Sequence, residues 1–146
     1  MKSTNEMKLE FFSQSVNESF ARMTVAAFAA QLDPTLEELG DIKTAVSEAV
    51  TNAIVHAYPK TLGKIQIKAR LSEDQVLEIQ VKDWGCGIAD VNQAREPLFT
   101  TGGAERSGMG FTVMESFMDS LRVRSHLHKG TVVIMRRRIA RRSKGC

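Results

Sequence analysis

Cysteine, proline and long hydrophobic runs are all scarce in this chain of 146 residues. Its two cysteines, Cys86 and Cys146, form neither a metal-ligand spacing nor a disulfide framework, which indicates a reducing compartment. The longest apolar stretches, such as residues 25–30, are too short to cross a bilayer, and residues 1–6 are polar rather than signal-peptide-like. We therefore expect a cytoplasmic protein that does not contact a membrane.

Acidic residues are absent from the C-terminal end. The last eleven positions hold six of the 20 basic residues and none of the 17 acidic ones. The rest of the chain then has 14 basic against 17 acidic residues, a net charge of −3. Because the tail lacks interleaved aromatic residues and the body is acidic, a disordered solubilising end at 139–146 is favoured over nucleic-acid binding.

We expect residues 1–138 to form one domain. A chain of 146 residues with 42% hydrophobic and 25% charged content is typical of a protein with one globular core. Capping boxes at Ser15-x-x-Glu18 and Thr35-x-x-Glu38 mark two helix starts, and a period of two later marks strands. The predicted elements are helices at about 17–32 and 35–58, a hairpin near 65–71 and 77–81, a short helix near 89–95, a mobile loop at 98–107, a helix at about 110–118 and a hairpin from 121 to 135.

This order of elements predicts an α+β fold, a two-layer sandwich with a mostly antiparallel mixed sheet and helices on one face. The sequence lacks a βαβ unit around its glycines, which excludes a Rossmann pattern. It also lacks Gly-Lys-Ser/Thr, which excludes a P-loop.

One face of the second predicted helix is polar and carries Glu48 and Asn52 one turn apart. A solvated face is the ordinary explanation, since polar residues usually lie opposite an apolar stripe. Asn is a poor residue for a helix interior, which is a weak sign of a site. The helix alone leaves both interpretations open.

The segment Asp83-x-Gly85-x-Gly87 follows the second predicted strand directly. Glycines let a backbone approach a ligand closely, and a fixed carboxylate can accept a hydrogen bond from the amino group of adenine. Guanine, with an acceptor oxygen at that position, would face the carboxylate unfavourably. A tight turn that leaves a strand is the alternative explanation.

Glycines also precede the third long helix, in the run Ser107-Gly108-Met109-Gly110. A helix start presents unpaired backbone N–H groups to an anion, and Arg106 could pair with a terminal phosphate. The alternative is a helix after a flexible linker.

Together, in this order and spacing, the three segments resemble the ATP-binding module shared by gyrase, Hsp90 chaperones, histidine kinases and MutL. Residues 46–58 (VSEAVTNAIVHAY), 97–101 (PLFTT) and 106–111 (RSGMGF) are similar to the anti-sigma serine kinases of Bacillus-type bacteria. Residues 17–22 and 114–119 are more similar to the branch that acts on sporulation sigma factors than to the general-stress branch.

The resemblance implies a site for ATP or ADP with Mg²⁺, in which Asn52 binds the cation, Asp83 reads adenine, and Glu48 acts as general base toward an acceptor serine or a water. Gly108 and Gly110 would help to shape the pocket, together with Gly85 and Gly87. The implied nucleotide site comprises Asn52, Asp83, Gly85, Gly87, Thr100, Thr101, Arg106, Ser107, Gly108, Met109, Gly110 and Thr131.

The function that the resemblance implies is a kinase that inhibits a sporulation sigma factor and phosphorylates an anti-anti-sigma protein on serine. The alternative is a nucleotide-gated binding protein without important phosphoryl transfer. A histidine kinase is disfavoured, because only one helix precedes Pro34, and the histidines, His56 among them, are expected to be surface or packing residues.

The first predicted helix is apolar nearly all round, with Ala21, Val25, Phe28 and Leu32 on its best core face and Met23, Ala26 and Ala30 opposite. Arg22 lies at the edge between the two sides. We predict a homodimer or partner interface there. A fully buried helix is the alternative.

Overall fold

The computed structural model describes residues 1–91 and 110–141. In chain order its elements are β1 (Ser3–Phe12), α1 (Val16–Ala29) with a 3-10 turn (Ala30–Leu32), α2 (Leu36–Asn52) with a π-helical turn (Ala53–Ala57), β2 (Lys64–Ser72), β3 (Val76–Asp83), α3 (Phe111–Phe117), β4 (Ser120–His126) and β5 (Gly130–Arg138). The loop predicted at 98–107 and most of the helix predicted near 89–95 lie outside the described residues.

The five strands form one sheet in the order β1-β2-β3-β5-β4. Each described pairing is antiparallel, which fits the hairpins that join β2 to β3 and β4 to β5. The α+β sandwich is therefore confirmed. The sheet was expected to be mixed, but the described part contains no parallel pair.

Alternation along β2 explains why one face of the sheet is covered. Ile65, Ile67 and Ala69 are fully buried, whereas the residues between them are at least partly exposed. The buried residues of α1, α2 and α3 join the same core cluster. Helices therefore cover this face of the sheet.

The second helix has the core face that its period predicts. Ile42, Val46, Val50 and Ala53 are buried, and Leu39 packs at the edge of the core. Thr35 forms the predicted capping box, because its side chain accepts from the Glu38 amide and the Glu38 carboxylate accepts from the Thr35 amide.

The capping box predicted at Ser15 is wrong. Ser15 makes no side-chain cap hydrogen bond. The carboxylate of Glu18 instead accepts from the Ser47 hydroxyl at 2.9 Å and lies 3.6 Å from Arg22. Tertiary contacts to α2 thus replace the local cap.

Strand β1 was not predicted. It forms the edge of the sheet and pairs with β2, and Met7, Leu9 and Phe11 pack partly against the core. These three residues alternate with Lys and Glu, so the period-two signal was present but short. Pairing with β2 stabilises a segment whose own apolar content is small.

The predicted boundary of the basic tail at residue 139 is too early. Ile139 is fully buried, and its amide donates to the Gln75 carbonyl at 2.8 Å. The Ala140 amide donates to the Glu38 carboxylate at 3.1 Å, and the Arg141 side chain donates to the Glu73 carbonyl. The chain therefore stays attached to the domain through residue 141.

None of the helices within residues 1–91 and 110–141 has both the length and the apolar composition that a membrane span requires.

Candidate functional site

A pocket opens between α2 and the inner face of the sheet, with a volume of about 390 Å³ that includes its solvent-open part. Four segments distant in sequence meet there: the end of α2, the end of β3, the start of α3 and the start of β5. Its walls are formed by Ala49, Asn52, Ala53, His56, Ala57, Val81, Asp83, Gly87, Ile88, Phe111, Thr131 and Val133. The predicted residues Asn52, Asp83, Gly87 and Thr131 are thus brought together.

Asp83 lies at the floor of this pocket, with only 7% of its surface exposed. Its Oδ1 atom accepts from the amides of Gly85 at 3.0 Å and Thr131 at 3.2 Å. Burial raises the pKa of the Asp83 carboxyl, and the two amide donors offset only part of that effect. Within residues 1–91 and 110–141 both donors to this carboxylate reach Oδ1, which leaves Oδ2 to accept from a ligand in the pocket.

The glycines after Asp83 allow close approach to protein backbone. A Cβ atom on Gly85 would lie 2.3 Å from the Ala57 carbonyl oxygen, and one on Gly87 would lie 2.1 Å from the His126 carbonyl oxygen. Gly87 also has a φ of +76°, which favours glycine. The prediction attributed these glycines to a ligand's approach, but the contacts described are with α2 and the β4–β5 turn.

Glu48 lies one turn before Asn52 but outside the walls of the main pocket. It lines a separate groove between α1 and α2, with Arg22, Met23, Gly40, Lys43, Thr44 and Ser47. A Cβ atom on Gly110 would lie 2.3 Å from the Glu48 Oε2 atom, so the carboxylate also contacts the residue before α3. Burial raises the pKa of Glu48. The carboxylate is therefore partly desolvated and lies beside the start of α3.

Arg22 lines the same groove. Its guanidinium lies 3.6 Å from the Glu18 carboxylate and donates to the Ser19 hydroxyl at 3.3 Å. On the outer side of α1, Val16, Phe20 and Met23 are 71%, 51% and 54% exposed. The alternative of a fully buried helix is therefore wrong.

Ala26, expected on the outer side of α1, is instead buried with 5% exposure. The first helix thus has a wider core face than its period predicted.

Six predicted site residues lie outside the described residues, and their roles stay predictions. They are Thr100, Thr101, Arg106, Ser107, Gly108 and Met109. Gly110, which ends this run, is described and precedes α3 with a φ of +67°.

Sequence reasoning missed some residues around the pocket. His56 lines the pocket, although it was expected on the surface or in packing; its position one turn after Asn52 was a usable signal. The Ser125 hydroxyl accepts from the Ile88 amide and lies 2.7 Å from the Thr131 hydroxyl. Ser125 is on β4, Thr131 is on β5 and Ile88 is in the loop after β3. No local pattern could have identified Ser125, because its place depends on the pairing of β4 with β5.

Comparison with known proteins agrees with this geometry. Residues 14–137 match the histidine kinase-like ATPase domain family. The chain is 54% identical over 143 residues to the anti-sigma F factor of Geobacillus thermodenitrificans, covering 97% of this chain and 98% of that protein. It is 60% identical over 136 residues to the anti-sigma F factor of a Thermoanaerobacter species, covering 92% and 94%.

Among solved structures, the RsbU and RsbW domains of a Mycobacterium tuberculosis protein superpose with a TM-score of 0.71 at 20% identity, over 97% of this chain and 34% of that one. At that identity the likeness shows the shared fold. Fold, pocket and sequence therefore place the chain among the histidine kinase-like ATPases, where it belongs to the anti-sigma F factor family.

Proposed function

We propose that this chain is an ATP-dependent serine kinase and anti-sigma factor. It binds and inhibits a sporulation sigma factor of the sigma-F type and phosphorylates an anti-anti-sigma protein on serine. The names of its relatives support the anti-sigma role. The observation that carries the kinase role is the place of Glu48, which lines the groove between α1 and α2 and has its carboxylate beside Gly110, the residue before the pocket residue Phe111.

Adenine binding is assigned to Asp83. Its buried carboxylate keeps Oδ2 for the 6-amino group of the base, while the amides of Gly85 and Thr131 fix Oδ1. A hydrogen bond to a charged group is stronger than one between neutral groups, and it is strengthened further by burial. Adenine is thereby favoured over guanine, whose oxygen would oppose the carboxylate.

Asn52 fits the role of ligand to Mg²⁺. Its amide side chain lines the pocket, and Mg²⁺ commonly takes few protein ligands and fills its shell with phosphate and water. A cation bound there supplies positive charge to the phosphate oxygens.

Glu48 is assigned as the general base. Its carboxylate takes the proton of the acceptor serine as the serine oxygen bonds to the γ-phosphorus, while the bond from that phosphorus to the bridging oxygen breaks and ADP leaves. The raised pKa of Glu48 suits a base that must hold this proton during transfer. The acceptor serine would approach through the groove that Glu48 shares with Arg22.

The exposed side of α1 is assigned to protein partners. Val16, Phe20 and Met23 provide apolar contact area, and Arg22 provides charge at the groove. This surface suits the sigma factor, the anti-anti-sigma substrate or a second copy in a homodimer. An Arg22→Glu chain that still dimerised and bound both partners normally would contradict the assignment.

The test of transfer is incubation with labelled ATP, Mg²⁺ and the candidate anti-anti-sigma protein from the same genome. Glu48→Ala should lower phosphoserine formation by about 10²- to 10⁴-fold while ATP binding persists. Glu37→Ala, which removes an exposed carboxylate from the first turn of the same helix, is the matched control and should transfer normally. Phosphoserine absent even with the unaltered chain would favour a nucleotide-gated binding protein, and unchanged transfer in Glu48→Ala would remove Glu48 as base.

A further inference from the structure

The turn that follows Asp83 is held from the side of α2. The Ala57 carbonyl accepts from the Cys86 amide at 3.1 Å, and Gly85 lies so close to Ala57 that no side chain would fit. The position of the Asp83 carboxylate therefore depends on the end of α2 as well as on β3.

Tyr58, the residue after the π-helical turn, makes the most direct of these connections. Its hydroxyl accepts from the amide of Trp84, the residue after Asp83, at 2.7 Å. The same hydroxyl donates to the Lys64 carbonyl, at the start of β2, also at 2.7 Å. One side chain thus joins the end of α2, the start of β2 and the backbone beside Asp83.

The ring of Tyr58 packs closely against Gly63. A Cβ atom on Gly63 would lie 2.1 Å from the Tyr58 Cε1 atom, so the ring covers Gly63 and only a hydrogen fits between them. Burial raises the pKa of the Tyr58 hydroxyl, opposed by the Trp84 amide. The hydroxyl therefore stays protonated at neutral pH and can donate and accept at once.

We propose that Tyr58 is a positioning residue for adenine selection, because its hydroxyl fixes the backbone of Trp84 and thereby the direction of the Asp83 carboxylate. This inference rests on the proposed role of Asp83 toward the 6-amino group. Without the hydroxyl, the Trp84 amide loses its acceptor and the turn can shift. A small shift at Asp83 weakens the contact with the base more than contacts with the phosphates.

The test compares ATP with purine riboside triphosphate, which lacks the 6-amino group, by isothermal titration calorimetry. The ratio of the two dissociation constants measures the contribution of that amino group. Tyr58→Phe keeps the ring over Gly63 and removes only the hydroxyl, and it should reduce this ratio by about three- to tenfold. Affinity for purine riboside triphosphate should stay nearly unchanged.

Ser72→Ala is the matched control. The Ser72 hydroxyl is buried and accepts from the Val76 amide at 3.2 Å, at the opposite end of the same β2–β3 hairpin. Its loss also removes one acceptor from a backbone amide, but far from the pocket. Ser72→Ala should leave the ratio unchanged.

Trp84 gives a second measurement, because it is the single tryptophan of the chain and 42% exposed. The constant for quenching of Trp84 fluorescence by acrylamide should change in Tyr58→Phe. In Ser72→Ala it should equal that of the unaltered chain. Equal loss of affinity for both nucleotides in Tyr58→Phe, or an unchanged ratio, would overturn the proposal.

Asp83→Asn separates this inference from the function on which it rests. If that variant keeps the full ratio, the adenine-reading role of Asp83 fails. If it loses the ratio while Tyr58→Phe keeps it, only the role of Tyr58 fails.

Discussion

Strand β3 carries two buried carboxylates five residues apart, Glu78 and Asp83, and their surroundings are opposite. Glu78 lies on the polar face of the sheet with 2% exposure, and Asp83 lies under the helices with 7%. Glu78 receives the guanidinium groups of Arg70 and Arg136, each at 2.8 Å, and the Gln80 amide. Asp83 receives only backbone amides in the described part of the chain.

The pKa values of the two groups shift in opposite directions for that reason. Burial acts to raise the pKa of Glu78, but the hydrogen bonds from Gln80 and Arg70 and the two guanidinium charges outweigh it and hold the pKa below its usual range. Burial raises the pKa of Asp83, and its two amide donors do not cancel the effect. The charge of Glu78 is neutralised inside the protein, whereas that of Asp83 is left for a ligand.

The largest effect is expected on nucleotide affinity when Asp83 is replaced. Asp83→Asn keeps an oxygen for the amides of Gly85 and Thr131 but puts an NH₂ donor where the adenine amino group needs an acceptor. Calorimetry should show a loss of ATP affinity of about 10- to 100-fold. The unfolding transition of the free protein should remain cooperative. If ATP affinity stayed close to that of the unaltered chain, the claim that the Asp83 carboxylate is left for a ligand would be contradicted.

The second effect is on stability and concerns Glu78. Glu78→Gln leaves Arg70 and Arg136 without their shared charge and should lower the free energy of unfolding by about 1–3 kcal/mol. Urea unfolding measures it, with Asp74→Asn in the exposed turn of the same hairpin as control, expected to change stability by less than about 0.5 kcal/mol. ATP affinity should not change in Glu78→Gln, and a loss there would mean that the two carboxylates are not independent.

The third effect is a difference in pH dependence. Because the folded pKa of Glu78 is lowered, its stabilisation is present above the unfolded pKa and is lost as pH falls through the folded value. Because the folded pKa of Asp83 is raised, ionisation of Asp83 opposes folding as pH rises through it. From about pH 8 to about pH 3, the stability advantage of the unaltered chain over Glu78→Gln should shrink, while its stability relative to Asp83→Asn should improve. Urea unfolding at several pH values measures the difference in unfolding free energy between the unaltered chain and each variant. If these two differences changed in the same direction as pH falls, the prediction would be contradicted.

The smallest effects concern the groups behind each carboxylate. Ser125→Ala removes the hydroxyl beside Thr131, whose amide donates to Asp83, and should lower ATP affinity by no more than about fivefold. Arg136→Ala removes a side chain that is 47% exposed, so the loss of stability should stay below about 1 kcal/mol. Calorimetry on Ser125→Ala and urea unfolding on Arg136→Ala measure the two effects, and ATP affinity should not change in Arg136→Ala.

Local patterns predicted the parts of the site that lie within single elements. Glu48 and Asn52 share a helix, and Asp83 directly follows an alternating predicted strand, so period and spacing made them candidates; the resemblance to a known ATP-binding module then implied their roles. Ser125 and Tyr58 act through contacts across 37 and 26 residues of sequence, which only the register of the strands and the packing of α2 determine. Strand β1 and the docking of Ile139 were missed for the same reason, since each depends on a partner strand or turn elsewhere in the chain.

The π-helical turn Ala53–Ala57 requires a fixed number of residues between α2 and Tyr58. The Tyr58 amide donates to the Ala53 carbonyl at 3.2 Å, five residues back, so the turn holds one residue more than an α-helical turn would. Deleting one residue here would restore a regular helix but rotate the residues that follow by about 100° around its axis. Tyr58 would then point away from Trp84, so insertions and deletions in this turn should be poorly tolerated.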